Sequence, residues 1–277
     1  MSADQLRGAV LGSPIVHSLS PLLHKTAYKL LGINGEYSAI EVNSGDLQRF
    51  LDTRGQDFDY LSLTMPLKEE ALELQSNINL DLKIDKLGRR IQSINTLVRA
   101  EGVWSATSTD GPGFIKSLNN AGYDHFERVL ILGAGGTARA VAGAVDDIAT
   151  SVDVMRRSVR RSPAIAACFE KIECNFLDWD DLADLSGYDL VVNTTPSGAA
   201  DLVAENLSRN IKGLLFDVLY KPWPTLLARR WSDSGGKILG GLELLLYQGI
   251  DQLNLVADFA GASIDEELRI ALSKASH

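Results

Sequence analysis

The sequence predicts an α/β chain of two domains, and three observations carry that expectation. Short apolar runs of strand length recur along the 277 residues, separated by helical stretches. That alternation builds parallel sheets with helices on their faces. One run, Val129 to Leu132, breaks into Gly133-Ala134-Gly135-Gly136 and then into Thr137-Ala138-Arg139-Ala140-Val141-Ala142. Ahead of it, the polar cluster Thr109-Asp110-Gly111-Pro112-Gly113 marks a boundary between two halves. A chain of this length divides into two modest cores more readily than it builds one large one.

Composition narrows the class. Hydrophobic residues make up 45% and charged residues 23%, an ordinary globular balance. A net charge of −9 argues against nucleic acid or an anionic membrane as partner, since both need a basic footprint. No apolar run approaches the ~20 residues of a membrane span, and the first residues lack the apolar core of a secretion signal. Cys168 and Cys174 fit neither a redox pair nor a zinc knuckle, and the histidines have no metal-like spacing. The expected setting is cytoplasmic, with a small-molecule substrate, no nucleic acid, no membrane, no metal, and a monomer or homodimer as the assembly.

In the first half, Gly8 to Gly12 reads as a buried strand, and Leu22 to Leu31 as a helix. Ser20 before Pro21 has the form of a helix start, Ser as N-cap and Pro at the first helical position. On spacing alone a cap is the plain reading of Ser20, and a turn residue that of His17. Hydroxyls beside a helix N-terminus also suit a carboxylate. Glu36–Val42 and Phe58–Met65 are further strands flanking a helical stretch from Gly45 to Thr53, which implies a parallel layer. The second of these strands leads into Pro66-Leu67-Lys68-Glu69. A cation in the first turn of a helix opposes the helix dipole, although a solvated lysine is the ordinary explanation. The carboxyl end of an α/β strand is also where ligands sit.

Asn95, inside the strand-like run Ser93–Arg99, suits a strand poorly. Either it occupies a turn or its amide serves another group. Val103–Ser108 is the next strand, with a helix from Phe114 to Asn120 beyond the boundary cluster. Asp110 reads as a turn or capping residue.

In the second half, the stretch Arg128–Arg139 reads strand, tight turn, helix. Gly133, Gly135 and Ala138 fill the small-residue positions of a dinucleotide fingerprint. These allow the turn, the backbone's approach to a pyrophosphate, and close packing of helix on strand. The second half is therefore expected to be a Rossmann-type doubly wound domain. Its next strand, Ser151–Met155, ends not in an acidic residue but in Arg156-Arg157-Ser158-Val159-Arg160-Arg161. Arginine forks match a phosphate dianion, which points to NADP, with its 2′-phosphate, over NAD. Asp189–Asn193, Gly213–Tyr220 and Lys237–Gly240 are later strands with small or polar residues at their carboxyl ends. The cofactor-binding set is expected to be Gly133, Ala134, Gly135, Gly136, Thr137, Ala138, Arg156, Arg157, Ser158, Arg161, Thr194 and Gly241. A long apolar helix runs from Leu242 to about Ala257, and an amphipathic one from Ser263 to about Lys274.

Six motifs in order, spanning nearly the whole chain, resemble the shikimate dehydrogenase family. Gly12-Ser-Pro-Ile-Val-His17-Ser18-Leu-Ser20-Pro21 is similar to the family's G-x-P-I-x-H-S-x-S-P, and Thr64-Met-Pro66-Leu-Lys68-Glu69 to its T-V-P-x-K-E. Asn95-Thr96 matches an N-T pair and Thr109-Asp110-Gly111 a T-D-G. The glycine turn and the arginine cluster match the NADP segments. The resemblance implies that Ser18 and Ser20 hold a substrate carboxylate, while Thr64, Asn95 and Asp110 hold its hydroxyls. It further implies that Lys68 and Asp110 are the catalytic pair and that Tyr220 and Gln248 are late substrate contacts. The implied reaction is reversible reduction of 3-dehydroshikimate to shikimate with NADP. The implied domains are an N-terminal α/β substrate-binding domain (1–109, completed by 241–277) and an NADP-binding Rossmann domain (110–240). Three departures stand out: Ser62 where the family has Asn, Ser108 before the T-D-G, and Glu243 for a common glycine. They bear on substrate detail, shikimate against quinate, although Ser62 is still able to donate to a substrate hydroxyl, with shorter reach. A non-catalytic NADP-binding sensor is the alternative of another class, against which both Lys68 and Asp110 argue.

Overall fold

The computed structural model describes residues 5–76, 82–179, 184–257 and 263–276. It separates into two compact units: 1–113 with 245–275, and 114–244. The expected break at 109/110 falls at a helix start instead, and the division runs through two helices.

The first unit holds strands β1 (Leu6–Gly12), β2 (Gly35–Glu41), β3 (Tyr60–Leu63), β4 (Leu82–Ile84), β5 (Thr96–Ala100) and β6 (Val103–Thr107). They form one sheet in the order β2-β1-β3-β5-β6-β4. β1 pairs in parallel with β2 and β3, whereas β5 runs antiparallel to both of its neighbours. The layer is therefore mixed. The reason is local: Glu101 (φ 52°) and Gly102 (φ 83°) both take the left-handed conformation, the two-residue turn that folds β5 directly onto β6. The helices of this part are α1 (Ser20–Leu31), α2 (Leu47–Arg54), α3 (Leu67–Glu70) and α4 (Lys86–Ile91). A core of Leu11, Leu47, Leu61, Leu67, Ile94 and Leu97, with Trp104, fills one side of the sheet.

Helix α5 (Asp110–Asn120) starts at Asp110, so Asp-Gly-Pro-Gly is a first helical turn and not a loop. Pro112 lies where its missing N–H has no intrahelical partner to lose. Asp110 in the same turn complements the helix dipole.

In the second unit, strands β7 (Phe126–Leu132), β8 (Ala149–Arg156), β9 (Asn175–Asp178), β10 (Leu190–Asn193), β11 (Leu214–Asp217) and β12 (Lys237–Gly240) form an all-parallel sheet. Its order, β12-β11-β10-β7-β8-β9, is that of the expected doubly wound nucleotide fold, with β7 and β10 flanking the point where strand order reverses. Ligands bind such sheets at the carboxyl ends of those strands. Helices α6 (Gly136–Val145), α7 (Ser162–Ala166), α8 (Asp201–Glu205) and α9 (Leu226–Asp233) belong to this part of the chain. The buried Trp231 packs with Leu215, Leu227 and Ile211.

Two helices follow, α10 (Gly241–Asn254) and α11 (Asp265–Ala275). In the first unit α5 and α10 approach so closely that a Cβ on Gly113 would stand 2.6 Å from the backbone nitrogen of Gln248. Among the described residues no helix is long and apolar enough to cross a membrane.

Candidate active site

Four segments of the first unit bring their polar side chains together. Lys68 sits in the short helix that follows β3, with its carbonyl accepting from Ile94 N at 2.8 Å. Its Nζ lies 2.5 Å from Asp110 Oδ2, and the two side chains are 15% and 5% exposed. Asn95, one residue ahead of β5, donates from Nδ2 to Asp110 Oδ1 at 2.7 Å and to Thr109 Oγ1 at 3.0 Å. Its Oδ1 accepts from Thr109 N and from Thr96 Oγ1, both at 2.8 Å. The Asn95 backbone still bridges the neighbouring strands, its N donating to Thr107 O at 3.2 Å and its O accepting from Leu63 N at 2.7 Å, while its side-chain amide serves Asp110. From α10, Gln248 Oε1 stands 3.3 Å from Asn95 Nδ2, while its own Nε2 donates to Leu245 O at 2.9 Å.

The serines behave differently from a capping pair. Helix α1 begins at Ser20 with Leu19 at the cap position, and no side chain caps it. Ser18 Oγ accepts from Ser20 N at 3.3 Å. The Ser20 hydroxyl, on a residue 7% exposed, has no hydrogen-bond partner among the described residues. Nor does that of the half-buried Thr64, whose backbone NH bonds Leu11 O at 2.9 Å. With the cap role gone, the Ser20 hydroxyl is available to a ligand.

Ser62 corrects an expectation. Its Oγ donates to Gln252 Oε1 at 2.7 Å, an acceptor-only atom, so its single proton is engaged. Tyr37 OH, 2.5 Å from the same Oγ, must then be the donor of that pair. Ser62 cannot donate to a substrate hydroxyl while this arrangement stands. Ser108 is buried, and its Oγ has no partner among the described residues.

Two features escaped the sequence. Gln252 lies one helical turn beyond Gln248 on α10, and both are buried, at 1% and 9% exposure. A glutamine pair at i and i+4 in an apolar helix was the available signal. The other feature is a buried group of His24, Tyr28, Tyr37 and Tyr60. The His24 ring stacks on Tyr37 with centroids 4.0 Å apart, and its Nδ1 lies 2.8 Å from Tyr60 OH. Tyr28 and Tyr60 share a 2.5 Å contact. Gly8 makes room for them, since a Cβ there would stand 2.6 Å from both the Tyr37 and Tyr60 rings. Burial pushes His24 down to about 3 and Tyr28 up to about 12, and it also holds Tyr37 and Tyr60 well above the ordinary tyrosine value. The imidazole is thus neutral at ordinary pH.

In the second unit the turn after β7 has the expected form. Gly133 takes φ 110°, and a Cβ there would stand 2.6 Å from Thr194 Oγ1. Gly135 caps α6 with open space around its Cα, and Gly136 and Thr137 begin the helix while Ala138 is fully buried. Gly135, at the cap position, makes no side-chain cap hydrogen bond to the helix. Thr194 Oγ1 donates to Leu132 O at 2.8 Å and so braces the turn. Gly241 passes against the carbonyl of Val218, which a Cβ would meet at 2.1 Å. Tyr220 is half-buried in the segment following β11 of this unit.

The arginine cluster divides. Arg156 is engaged internally, donating to Ser162 Oγ at 2.7 Å and pairing with Asp178. Arg157 and Ser158 are exposed, and Arg157 has no side-chain partner among the described residues. Arg161 NH1 reaches Ala134 O at 3.2 Å, tying the cluster to the glycine turn. A glycine cradle, the amides of a helix N-terminus and an exposed guanidinium at the end of β8 fit a dinucleotide bearing a further phosphate.

Against known proteins, a family model described as the shikimate dehydrogenase substrate binding domain matches residues 10–97. The shikimate dehydrogenase (NADP(+)) of Methanococcoides burtonii is 33% identical over 254 residues, 89% of this chain and 90% of that protein. That of a Thermus thermophilus strain is 35% identical over 247 residues, 88% and 89% of the two. This chain belongs to the shikimate dehydrogenase family. Among solved structures, the shikimate 5-dehydrogenase of another Thermus thermophilus strain, in complex with NADP(H) and shikimate, is similar with a TM-score of 0.82. It is 31% identical, with 98% of this chain and 100% of that chain covered. The Mycobacterium tuberculosis shikimate dehydrogenase also gives 0.82, at 30% identity, with 97% and 99% covered.

Proposed function

We propose that this chain catalyses the reversible NADP-dependent interconversion of 3-dehydroshikimate and shikimate, with Lys68 and Asp110 as its catalytic pair. The observation that carries the assignment of residues is the 2.5 Å contact between Lys68 Nζ and Asp110 Oδ2 inside a chain of this family.

When bound, NADPH supplies the hydride for the 3-keto carbon. Lys68 delivers a proton to the carbonyl oxygen as charge develops there, and its ammonium stabilises that charge in a site shielded from water. Asp110 orients the ammonium through one oxygen while its other oxygen is held by Asn95. In the oxidative direction the same nitrogen takes the hydroxyl proton. Ser18 and Ser20 hold the carboxylate; Thr64, Asn95 and Gln248 hold the ring hydroxyls, and Tyr220 is a further substrate-binding residue. The first amides of α6, from Gly135 to Thr137, would receive the pyrophosphate, and Arg157, Ser158 and Arg161 the 2′-phosphate. Cys168 and Cys174, neither of them in a disulfide, are in keeping with a reducing cytoplasmic setting.

The test is NADPH formation followed by absorbance, with shikimate and quinate each supplied with NADP and with NAD. Shikimate with NADP is expected to be the fastest of the four by at least tenfold. No turnover with shikimate, or faster turnover with quinate and NAD, would overturn the proposal.

A further inference from the structure

Beneath the Lys68–Asp110 pair runs a chain of hydrogen bonds whose direction is fixed by the atoms in it. Gln252 Oε1 can only accept, so Ser62 Oγ donates to it at 2.7 Å and itself accepts from Tyr37. Gln252 Nε2 can only donate, and it reaches Thr96 Oγ1 at 2.9 Å and Asn95 O at 3.3 Å. Thr96 Oγ1, an acceptor in that bond, sends its proton to Asn95 Oδ1 at 2.8 Å. With its oxygen held from this side and by Thr109 N, the Asn95 amide must face Asp110 with its nitrogen. Every donor from Tyr37 onward points toward the Asp110 carboxylate.

We propose that Gln252 is a positioning residue for the reaction, setting the orientation of the Asn95 amide and through it the placement of Asp110 and Lys68. The inference rests on the reading of Lys68 and Asp110 as the catalytic pair. Gln252 itself is 1% exposed and is no substrate contact. Its position demands an acceptor toward Ser62 and a donor toward Thr96 on one short planar group, which a carboxamide supplies and a carboxylate does not. An ionised carboxylate in place of this amide would draw the Thr96 proton to itself and leave Asn95 Oδ1 short of a donor. A reversed Asn95 would then present oxygen to oxygen at Asp110. The titratable groups adjoining this chain are Tyr37, which bonds Ser62 and stacks on His24, Tyr60, which bonds His24, and at the other end Asp110 and Lys68.

The variants to compare with wild type are Gln252→Glu and Thr96→Val, which break the same link from its two ends. At pH 8 each is expected to lower kcat for shikimate at least tenfold, with the KM for NADP within twofold of wild type. The double variant should be no slower than the slower single one, because one link is lost in all three. As pH falls, the introduced carboxyl takes up a proton and regains one donor and one acceptor. The kcat ratio of Gln252→Glu to wild type should therefore rise at least threefold between pH 8 and pH 6, whereas that of Thr96→Val stays flat. A merely structural loss would lower the amount of folded enzyme without this pH signature. A folded Gln252→Glu with kcat within twofold of wild type overturns the proposal, as does a ratio that ignores pH. If Gln252→Glu does not fold, a Thr96→Val enzyme with wild-type kcat is the overturning result. Failure here is separable from failure of the functional reading. An inactive Lys68→Ala beside unaffected Gln252 and Thr96 variants sinks only this inference, while a wild type that ignores shikimate sinks the reading beneath it.

Discussion

Lys68 Nζ and Asp110 Oδ2 stand 2.5 Å apart although 42 residues separate them in the chain. Each side chain is set by the start of a helix, Lys68 in the turn after β3 and Asp110 in the first turn of α5. The pair is largely screened from water, so its attraction is stronger than that of a surface ion pair, and removing one member leaves the other poorly compensated.

Lys68→Ala is therefore expected to lower kcat by about 10²–10⁴-fold, the range for loss of a positioned proton donor. It should also lower stability by about 3 kcal/mol, because Asp110 then remains buried without its cation. NADPH affinity, measured by fluorescence titration, should be unchanged. A variant that retains wild-type kcat would remove Lys68 from the chemistry.

The division of the arginine cluster makes a second expectation specific. Arg157→Gln should weaken NADPH binding at least tenfold and NADH less than twofold, since only NADPH carries the 2′-phosphate. Arg156→Gln, which breaks the links to Asp178 and Ser162, should lower Tm and weaken both cofactors alike. Titration of each variant with the two cofactors decides between these roles. Equal losses for NADPH and NADH in Arg157→Gln would show that this guanidinium does not read the phosphate.

The glycine turn, the Lys68 turn and most of the strands were legible because each is a local pattern. Glycines 133 and 135 with Ala138 announce themselves by spacing, and the missing acid at the end of β8 is a single position. What stayed hidden depends on partners far apart in the chain. Ser62 and Gln252 meet across 190 residues, and nothing near Ser62 indicates that its proton is already engaged. Ser20 was ambiguous because Ser-Pro suits both a cap and a first helical residue, and only the backbone shows that Leu19 takes the cap position. The Asp-Gly-Pro-Gly stretch has turn composition, yet Gly113 serves the contact of α5 with α10, which no local rule encodes.

The buried imidazole gives the fold its own acid limit. In the folded chain burial holds His24 down to about 3, against 6.5 for the ordinary side chain. The unfolded chain therefore takes up a proton below pH 6.5 that the folded chain refuses until about pH 3. Stability from this group is fully present above pH 6.5 and is lost progressively as pH falls across that interval. The slope is about 1.4 kcal/mol per pH unit, or about 2 kcal/mol between pH 6.5 and pH 5. Urea unfolding of wild type and His24→Gln at pH 7.5 and pH 5 isolates the contribution, since all other titrating groups are common to both. Wild type should lose about 2 kcal/mol more than the variant on acidification, even though the variant starts less stable through the lost stacking on Tyr37. Parallel losses in the two proteins would mean that His24 takes up its proton in the folded state as readily as in the unfolded one, and the acid limit would have to lie elsewhere.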